Sequence, residues 1–426
     1  MLDINLIRDD PARVKENIHR RGDAAHLKRL NELVDLDALW KQKKKEVEAL
    51  RARRNKLSDE IKVGKKDGRD VSAVFEEAKR IPQLIKAGDE GLASLRERGD
   101  KLLLSLPNLL DDSVPFGKSS EDNVEVRRVG EPYVPAFSIR HHGEIAVALG
   151  GADFERAVKV SGAGFYALKG PLVLMDLALQ RLALDILVER GFTPVAPPFL
   201  MRRRPYEGVT DLADFENVMY KIEGDDLYLI ATSEHPMAAF HMDEVISEDA
   251  LPIKYAGVSA CFRKEIGKHG LDERGLFRVH QFNKIEQFIF CKPQDSPAFH
   301  EELLRNSEDL LQKLKIPYRV VNVCTGDIGT VAAKKYDVEG WSPREQKYIE
   351  LMSCSNCTDY QARRLNIRMG RHGASKETLH TLNNTMIATA RALRIILEVY
   401  QKEDGSVTVP DALRPYMNGI KHLELK

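Results

Sequence analysis

The sequence predicts an α+β protein, in which an antiparallel hairpin of two long helices precedes a mainly antiparallel sheet flanked by helices. The hairpin is predicted by apolar residues that recur at spacings of three and four from 33 to 61 and largely again from 71 to 102. The second domain is predicted because short β-rich runs alternate with helices beyond Pro107. We therefore expect two domains, 1–107 and 108–426, with the hairpin forming a coiled-coil arm over about residues 30–100.

Each helix of the arm has its own apolar seam. The first seam comprises Leu33, Leu36, Trp40, Lys43, Val47, Leu50, Arg54, Leu57 and Ile61, and the second comprises Val71, Val74, Ala78, Ile81, Ile85, Leu92, Leu95 and Leu102. The segment 63–70 contains glycines and charges, which predicts a turn. Helices of about 30 residues would make an arm of roughly 45–50 Å. Pro82, Gly88 and Gly91 are expected to kink or loosen the second helix.

The formal net charge of the chain is zero, but its cations are unevenly placed. Basic residues dominate the outer faces of the first arm helix: Lys41, Lys43, Lys44, Lys45, Arg51, Arg53, Arg54, Lys56, Lys62, Lys65, Lys66 and Arg69. A solvated coiled-coil surface accounts for this pattern as well as an RNA-binding surface does. If the arm binds RNA, its few aromatic residues favour recognition of backbone shape over base stacking.

A helix from Leu174 to Glu189 is predicted by its amphipathic pattern and by Gly191, which follows its end. A short strand comes next and leads to Pro198. A later segment, predicted to be a strand, a loop and a strand, is rich in charged side chains that could bind a ligand. It runs from Phe262 through Glu265, crosses twelve loop residues and returns over 278–286.

The returning strand is predicted to place Arg278, His280, Phe282, Lys284 and Glu286 on one face, because side chains alternate across a strand. A face that combines cations, a ring and a carboxylate is costly to bury without partners. It suits a nucleotide, whose phosphates bind arginine and whose base stacks on a ring. A hairpin that faces bulk water is the alternative.

The pattern Phe-Arg-x-Glu, a loop, then Arg-x-x-x-Phe-x-x-x-Glu resembles motif 2 of class II aminoacyl-tRNA synthetases. The resemblance narrows to the seryl-tRNA synthetase family and extends from Met1 to Met417. The segment from Glu350 to Arg364 is similar to the archaeal and eukaryotic branch. The helix and strand ending at Pro198 resemble motif 1, which implies a homodimer. Residues 387–400 resemble motif 3, although Ala388 and Ala390 stand where the family often has glycine.

This resemblance implies the following sites. Arg263 and Arg391 would be the catalytic cations. The serine site would comprise Thr232, Ser233, Glu234, Arg263, Glu286 and Thr385. The ATP site would comprise Arg263, Lys264, Glu265, Val279, Phe282, Glu350, Leu351, Met352, Ser353 and Arg391. Glu350 and Ser353 would bind Mg²⁺ with ATP, since Mg²⁺ uses few protein oxygens. Arg391 would face the γ-phosphate and hold adenine against Phe282.

The resemblance further implies that ATP and L-serine are substrates, and that tRNA(Ser) and possibly tRNA(Sec) are partners. Zinc is not expected, because Cys354 and Cys357 form a single Cys-x-x-Cys without a second ligand pair. Five scattered cysteines indicate a reducing cytoplasm. No apolar run approaches the roughly 18 residues of a membrane span, so no membrane association is expected.

Two other functions were weighed against a serine–tRNA ligase. A paralogue that passes an activated amino acid to a carrier protein would not need the basic arm. A catalytically inactive RNA-binding homologue would not need Arg263, Glu265, Phe282, Glu286 and Arg391 together. The prolyl and threonyl enzymes share motifs 2 and 3 but lack the N-terminal hairpin.

Overall fold

The computed structural model describes residues 1–210, 217–265, 275–371 and 376–426. The chain divides into two compact units, Met1–Pro107 and Asn108–Lys426. The first unit is helical in its described elements, and the second contains a large sheet with helices. The α+β class expected from the sequence is confirmed. No helix in the described part of the chain is long and apolar enough to cross a membrane.

The N-terminal unit is helical, and aspartates cap the first three of its described helices. Its helices are α1 (Ile4–Asp9), α2 (Pro11–Arg20), α3 (Ala24–Lys66) and α4 (Ser72–Leu104). Asp3, Asp10 and Asp23 each precede a helix and accept a hydrogen bond from a backbone N–H of its first turn. Helices α3 and α4 form the expected antiparallel hairpin, with Val47, Leu57, Ile81 and Ile85 buried between them.

The first helix of the arm is longer than the sequence analysis predicts. It has 43 residues and α4 has 33, which correspond to about 65 and about 50 Å. The difference arises at both ends, because α3 begins at Ala24 and continues through Gly64 to Lys66. The predicted turn at 63–70 is therefore wrong in its first half, and the reversal occupies 67–71. Arg54, which was placed in the seam, is exposed.

The glycines of α4 let the two arm helices approach closely. A Cβ added at Gly88 would lie 2.5 Å from Val47 Cγ2, and one at Gly91 would lie 2.6 Å from Lys43 Cε. Helix α4 is continuous through both glycines and through Pro82. The expectation that Pro82, Gly88 and Gly91 kink or loosen the helix stays a prediction. Each of the two glycines lies against a side chain of α3 and permits a tight contact.

The second unit is built on one large sheet. Its strands are β1 (Val124–Val129), β2 (Thr193–Val195), β3 (Leu200–Met201), β4 (Tyr228–Leu229), β5 (Val245–Ile246), β6 (Ile253–Phe262), β7 (Gln281–Cys291), β8 (Tyr318–Asn322), β9 (Lys334–Ser342), β10 (Lys347–Thr358), β11 (Arg368–Met369), β12 (Glu377–Thr378), β13 (His380–Ala388), β14 (Val407–Thr408) and β15 (His422–Leu423). The large sheet has the order β1-β8-β9-β10-β13-β7-β6-β2. Its pairs are antiparallel except for β2 with β6.

The helices of this unit surround the sheet. They are α5 (His142–Ala148), α6 (Phe154–Ser161), α7 (Pro171–Glu189), α8 (Arg203–Val209), α9 (Glu234–Ala239), α10 (Ser296–Lys313), α11 (Tyr360–Arg364) and α12 (Thr389–Val399). Short 3₁₀ turns lie at Ser120–Asp122, Glu248–Ala250, Pro293–Asp295 and Asp411–Met417. Helices α7, α10 and α12 share the main apolar core with the sheet, and Ile285 and Ile289 of β7 belong to this core. Of the side chains that alternate with them, Phe288 and Phe290 belong to a second apolar cluster, and Lys284 and Glu286 are left for a site on the other face.

Candidate active site

Most of the site residues predicted from the sequence meet in one cavity of about 360 Å³ on the sheet. This volume is typical of small-molecule sites. The predicted residues that line it are Thr232, Glu234, Arg263, Glu265, Val279, Phe282, Glu286, Glu350, Leu351, Met352, Ser353, Thr385 and Arg391. They come from five separate stretches of the chain, so the fold and not the sequence order brings them together.

Two predicted site residues do not line this cavity. Ser233 is fully buried and lies behind β6, where a Cβ added at Gly257 would be 2.7 Å from its Oγ. Lys264 donates its backbone N–H to Val218 O at 2.8 Å, and its ammonium lies 5.8 Å from the centre of the Tyr220 ring. Both residues adjoin the cavity through their chain neighbours, and their roles in binding stay predictions.

Strand β7 supplies one wall of the cavity, but the predicted face is only partly correct. Phe282, Lys284 and Glu286 line the cavity together, as alternation requires. Arg278 and His280 precede β7, which begins at Gln281, and they line a different cavity of about 1130 Å³. Their chain neighbours Phe277 and Val279 face the first cavity instead. The alternation was extended too far back, into a segment that is not strand.

A β-bulge explains how Glu350 and Ser353 can act together. Residues three apart in a regular strand point to opposite faces. In β10, however, Glu350 pairs with Glu339 and Met352 pairs with Val338, so one extra residue is inserted at Leu351. The insertion brings Glu350 and Ser353 to the same face. A similar shift in β13, between Thr385 and Ile387, keeps Thr385 and Ala388 on the cavity side.

One end of the cavity is acidic. Glu286 is almost fully buried, lies directly across the strand pair from Thr385, and has its Oε2 at 2.6 Å from Lys284 Nζ. Glu234 accepts hydrogen bonds from Gln361 Nε2 and Asn383 Nδ2, each at 3.1 Å. Thr232 Oγ1 accepts the backbone N–H of Glu234 at 3.1 Å and so fixes the start of α9.

The protonation of these carboxyl groups follows from their surroundings. Desolvation, together with the charge of Glu286, raises the pKa of Glu234 to about 7. Desolvation also raises the pKa of Glu286, although Lys284, Arg263 and the Thr385 hydroxyl oppose the shift. The two carboxylates therefore gain from a cation between them, and an amino group is such a cation.

Two arginines line the same cavity. Arg263 Nε donates to Ala231 O at 3.2 Å, and its guanidinium carbon lies 5.3 Å from the centre of the Phe282 ring. Arg391 NH1 donates to the backbone oxygen of Glu350 at 3.0 Å and lies 3.2 Å from its carboxylate. Arg391 lies over the Phe277 ring, at 5.3 Å, and it is Arg263 that lies over Phe282. The adenine sandwich between Arg391 and Phe282 stays a prediction.

Glu350 and Ser353 fit a divalent cation that arrives with phosphates. Desolvation would raise the pKa of Glu350, but Arg391 and Lys335 outweigh it and hold that pKa below its ordinary value. The Glu350 side chain is exposed, and Glu350 and Ser353 both line the cavity. A carboxylate, a hydroxyl and room for waters are ligands that suit Mg²⁺.

The Cys-x-x-Cys pair is buried in the sheet. Cys357 Sγ lies 3.5 Å from Asn383 Nδ2, and Cys354 Sγ lies 3.6 Å from His300 O. All five cysteines are free. Across the ranges that the structure describes, no three His, Cys, Asp or Glu side chains are grouped to hold a metal ion.

Several residues in the cavity or in contact with its lining have no role assigned from the sequence. Lys284 was placed on the correct face, and its alternation with Glu286 was a usable signal. Gln361, Asn383 and Phe277 had no such signal, because their positions depend on strand register and on contacts between distant segments.

An antiparallel sheet that holds two arginines, an aromatic ring and a carboxylate of β10 around one cavity is typical of a class II aminoacyl-tRNA synthetase. The family model for the tRNA synthetase class II core domain (G, H, P, S and T) matches residues 218–400. The model for the seryl-tRNA synthetase N-terminal domain matches residues 1–110. The chain therefore belongs to the seryl-tRNA synthetase family, as the sequence analysis predicted.

Known relatives agree with this assignment over the full length. The serine–tRNA ligase of Methanocella arvoryzae is 56% identical over 425 residues, which cover 99% of this chain and 100% of the relative. The crystal structure of seryl-tRNA synthetase from Pyrococcus horikoshii complexed with ATP has a TM-score of 0.98 at 46% identity and covers 100% of both chains. The cytoplasmic serine–tRNA ligase from Naegleria fowleri in complex with AMP has a TM-score of 0.92 at 37% identity, and the match covers 100% of this chain and 99% of that one.

Proposed function

We propose that this chain is a serine–tRNA ligase, which activates serine with ATP and transfers it to the 3′ end of tRNA(Ser). The observation that carries the proposal is the single cavity, whose lining combines the carboxyl groups of Glu234 and Glu286, which suit an amino acid, with Arg263 and Arg391, which suit a nucleotide. Full-length similarity to serine–tRNA ligases and to an ATP complex supports the same assignment.

In the first step the serine carboxylate attacks the α-phosphorus of ATP, and seryl-adenylate and pyrophosphate are formed. Two anions must meet, so the reaction depends on fixed cations. Arg263 contacts the α-phosphate and the serine carboxylate, and Arg391 binds the γ-phosphate. Phe282 stacks on adenine, and Glu265, Val279, Leu351 and Met352 complete the ATP site. Both arginines are held by backbone oxygens before substrate arrives, which lowers the cost of orienting them.

The acidic end selects serine. Thr232 and Glu234 bind the amino group, and Glu286 and Thr385 bind the hydroxyl. Alanine would leave the buried Glu286 carboxylate without this partner, and a site built to bind a hydroxyl rejects such an analogue strongly. Lys284 compensates part of the charge of Glu286 and holds its carboxylate in place.

Glu350 and Ser353 would hold Mg²⁺ together with ATP, and the metal would neutralise phosphate charge. Arg391 contacts the Glu350 carboxylate. Phosphates that attract Arg391 would therefore also free this carboxylate to bind the metal.

In the second step the terminal ribose hydroxyl of tRNA attacks the acyl carbon, and AMP leaves. We assign no side chain of the chain as a base, and positioning supplies most of the rate. The basic outer face of α3 binds the tRNA backbone. By family resemblance, tRNA(Sec) is a further substrate where the host contains it.

The chain acts as a homodimer in the cytoplasm. Support for the dimer comes from α7, on which Val173, Leu177 and Val188 are exposed apolar residues next to the motif 1 strand and Pro198. An exposed apolar stripe on a long helix is typical of an interface. Support for the cytoplasm comes from five cysteines that are all free.

The proposal is tested by charging a tRNA(Ser) transcript with labelled serine. We expect acid-precipitable serine and an equal amount of AMP. Transcript whose 3′-terminal ribose has been oxidised by periodate is the matched control and should accept none. The intact transcript is first shown to be charged by another serine–tRNA ligase. If this chain then fails to charge the same transcript, the proposal is contradicted.

A further inference from the structure

Two guanidinium groups of one helix lie over the Phe277 ring. The guanidinium carbon of Arg391 lies 5.3 Å from the ring centre, and that of Arg394 lies 4.3 Å from it. The two arginines are positions i and i+3 of α12 and therefore share one side of the helix. Guanidinium groups at such distances are attracted by the ring electrostatically and by stacking.

Arg394 is fixed from behind. Its side chain is 2% exposed, although arginine is almost never buried without partners. Its guanidinium contacts the carboxylates of Glu345 and Glu398, the latter at 3.2 Å. Glu398 is also fully buried and accepts a hydrogen bond from the Ser342 hydroxyl. Buried charges arranged in this way have little freedom to move, so Arg394 is a rigid support for the ring.

The guanidinium of Arg391 contacts Glu350 and Phe277. The carboxylate and backbone oxygen of Glu350 hold it on the sheet side, and Phe277 contacts it on the side towards Arg394. A phosphate that binds Arg391 competes with the Glu350 carboxylate. Phe277 does not compete with phosphate in this way, because an aromatic ring attracts the cation through its π-face and presents no oxygen to the guanidinium N–H groups.

We infer that Phe277 and Arg394 are positioning residues for Arg391, and that they keep its guanidinium in the cavity when ATP takes it from Glu350. In this role the buried Arg394 fixes the position of the Phe277 ring, and the ring in turn fixes the position of the Arg391 guanidinium. The inference rests on the proposed function, since it concerns the same ATP site, and it assigns roles to two residues outside the motif positions.

A ring that only fills space near the cavity is the alternative. The two roles differ in what they require of residue 277. Filling space requires apolar volume, whereas positioning requires an aromatic face and an arginine at 391. The experiment must therefore change the ring without removing volume, and must do so with and without Arg391.

The test measures serine-dependent exchange of pyrophosphate into ATP for Phe277→Leu, Phe277→Met and Phe277→Tyr in the full chain. We expect Leu and Met to lower kcat by about 10-fold, an effect that one desolvated cation–π contact can produce, with the KM for serine within about twofold of the parent. Phe277→Tyr keeps the ring face and should retain at least half of the parent kcat. Phe290→Leu is the matched control, because Phe290 is a buried ring on β7 that does not line the cavity.

The decisive readout is a double-mutant cycle with Arg391→Ala. If Phe277 acts through Arg391, Phe277→Leu should change the residual exchange of Arg391→Ala by less than about twofold, because coupled residues are not additive. An equal loss in both backgrounds would overturn the inference and show that Phe277 is structural. Leu and Met variants that keep the parent kcat would also overturn it.

Failure of the proposed function would look different. In that case the unsubstituted chain would show no serine-dependent exchange, and the same cycle would be read from ATP affinity by equilibrium dialysis. Phe277→Leu should then weaken ATP binding in the parent and not in Arg391→Ala. Equal weakening in both would overturn the positioning role independently of the amino acid used.

Discussion

Thr385 on β13 lies directly opposite Glu286 on β7, so the two side chains project from neighbouring strands into the same end of the cavity. Glu286 is 1% exposed and Thr385 is 7% exposed. The hydroxyl of Thr385 is a hydrogen-bond partner of the carboxylate and helps to keep its pKa from rising further. A substrate hydroxyl that lies here can donate to the Glu286 carboxylate or to the Thr385 oxygen.

Replacing Thr385 by Val keeps the shape of the side chain and removes the hydroxyl. We expect serine kcat/KM to fall by about 10- to 100-fold, which corresponds to about 1–3 kcal/mol for a buried group left without its partner. The KM for ATP should change little, and the preference for serine over alanine should narrow. Thr325→Val is the control, because Thr325 is equally buried and donates to Gly117 O away from the cavity. An unchanged preference in Thr385→Val would mean that other residues recognise the hydroxyl.

The raised pKa of Glu234 predicts how serine binding depends on pH. With a pKa of about 7, the carboxylate is ionised at pH 8 and mostly protonated at pH 6. The KM for serine should therefore rise by about 10-fold from pH 8 to pH 6, since the attraction to the substrate ammonium is lost. The KM for ATP should stay nearly constant. A flat serine KM across this range would contradict the role of Glu234.

The same shift has a consequence for stability with the opposite sign. The folded-state pKa lies above the ordinary value of 4.5, so the protonated carboxyl favours the folded protein. This contribution is complete below about pH 4.5 and disappears as the pH rises through about 7. Glu234→Gln should remove it, and the free energy of unfolding of the variant should vary less between pH 5 and pH 8 than that of the parent.

The parts of the fold that follow from side-chain periodicity were predictable from the sequence. The arm is an example, because two helices that bury only one stripe each must repeat apolar residues at three and four. Its length was not predictable in this way. Gly64 and the residues after it read as a turn, whereas Gly64 lies within α3 and against Val71, so helix α3 extends to Lys66.

The site was predictable where one strand carries it, as for Phe282, Lys284 and Glu286. It was not predictable where strand register decides. The bulges at Leu351 and Met386 depend on the partner strands. Without the bulge at Leu351, Glu350 and Ser353 would point to opposite faces of the sheet. The family resemblance predicted that Glu350 and Ser353 act together, and the bulge explains physically how both can lie on one face. The start of β7 at Gln281 is likewise a property of pairing, so Arg278 and His280 were misplaced.

Binding of tRNA should depend on salt through the arm. Replacing Lys44, Arg51 and Arg54 by Gln removes three cations from the outer face of α3. The slope of log affinity against log salt concentration should flatten by about 2–3 units if each contacts one phosphate. Lys313→Gln and Lys421→Gln, two exposed lysines of the second unit, are the control and should leave the slope unchanged. If the arm variant keeps the parent slope, the basic face of α3 is a solvated surface and does not bind RNA.

The dimer should depend on the exposed apolar side of α7. Leu177 is 55% exposed, and Leu177→Glu would place a charge in the proposed interface. We expect this variant to sediment as a monomer at concentrations at which the parent is a dimer. Val160→Glu is the control, because Val160 is 85% exposed on α6 and lies outside the proposed interface. A dimeric Leu177→Glu protein would place the interface elsewhere.

The central claim is that this one cavity forms seryl-adenylate, and serine-dependent exchange of labelled pyrophosphate into ATP measures it directly. The assay compares serine with alanine, threonine and proline, and the parent with Arg391→Ala, whose fold is checked by circular dichroism. We expect exchange with serine far above the other three, and a loss of about 10²–10³-fold in Arg391→Ala, as for other preorganised donors at a developing charge. No serine-dependent exchange by the parent, or near-normal exchange by a folded Arg391→Ala protein, would contradict the account.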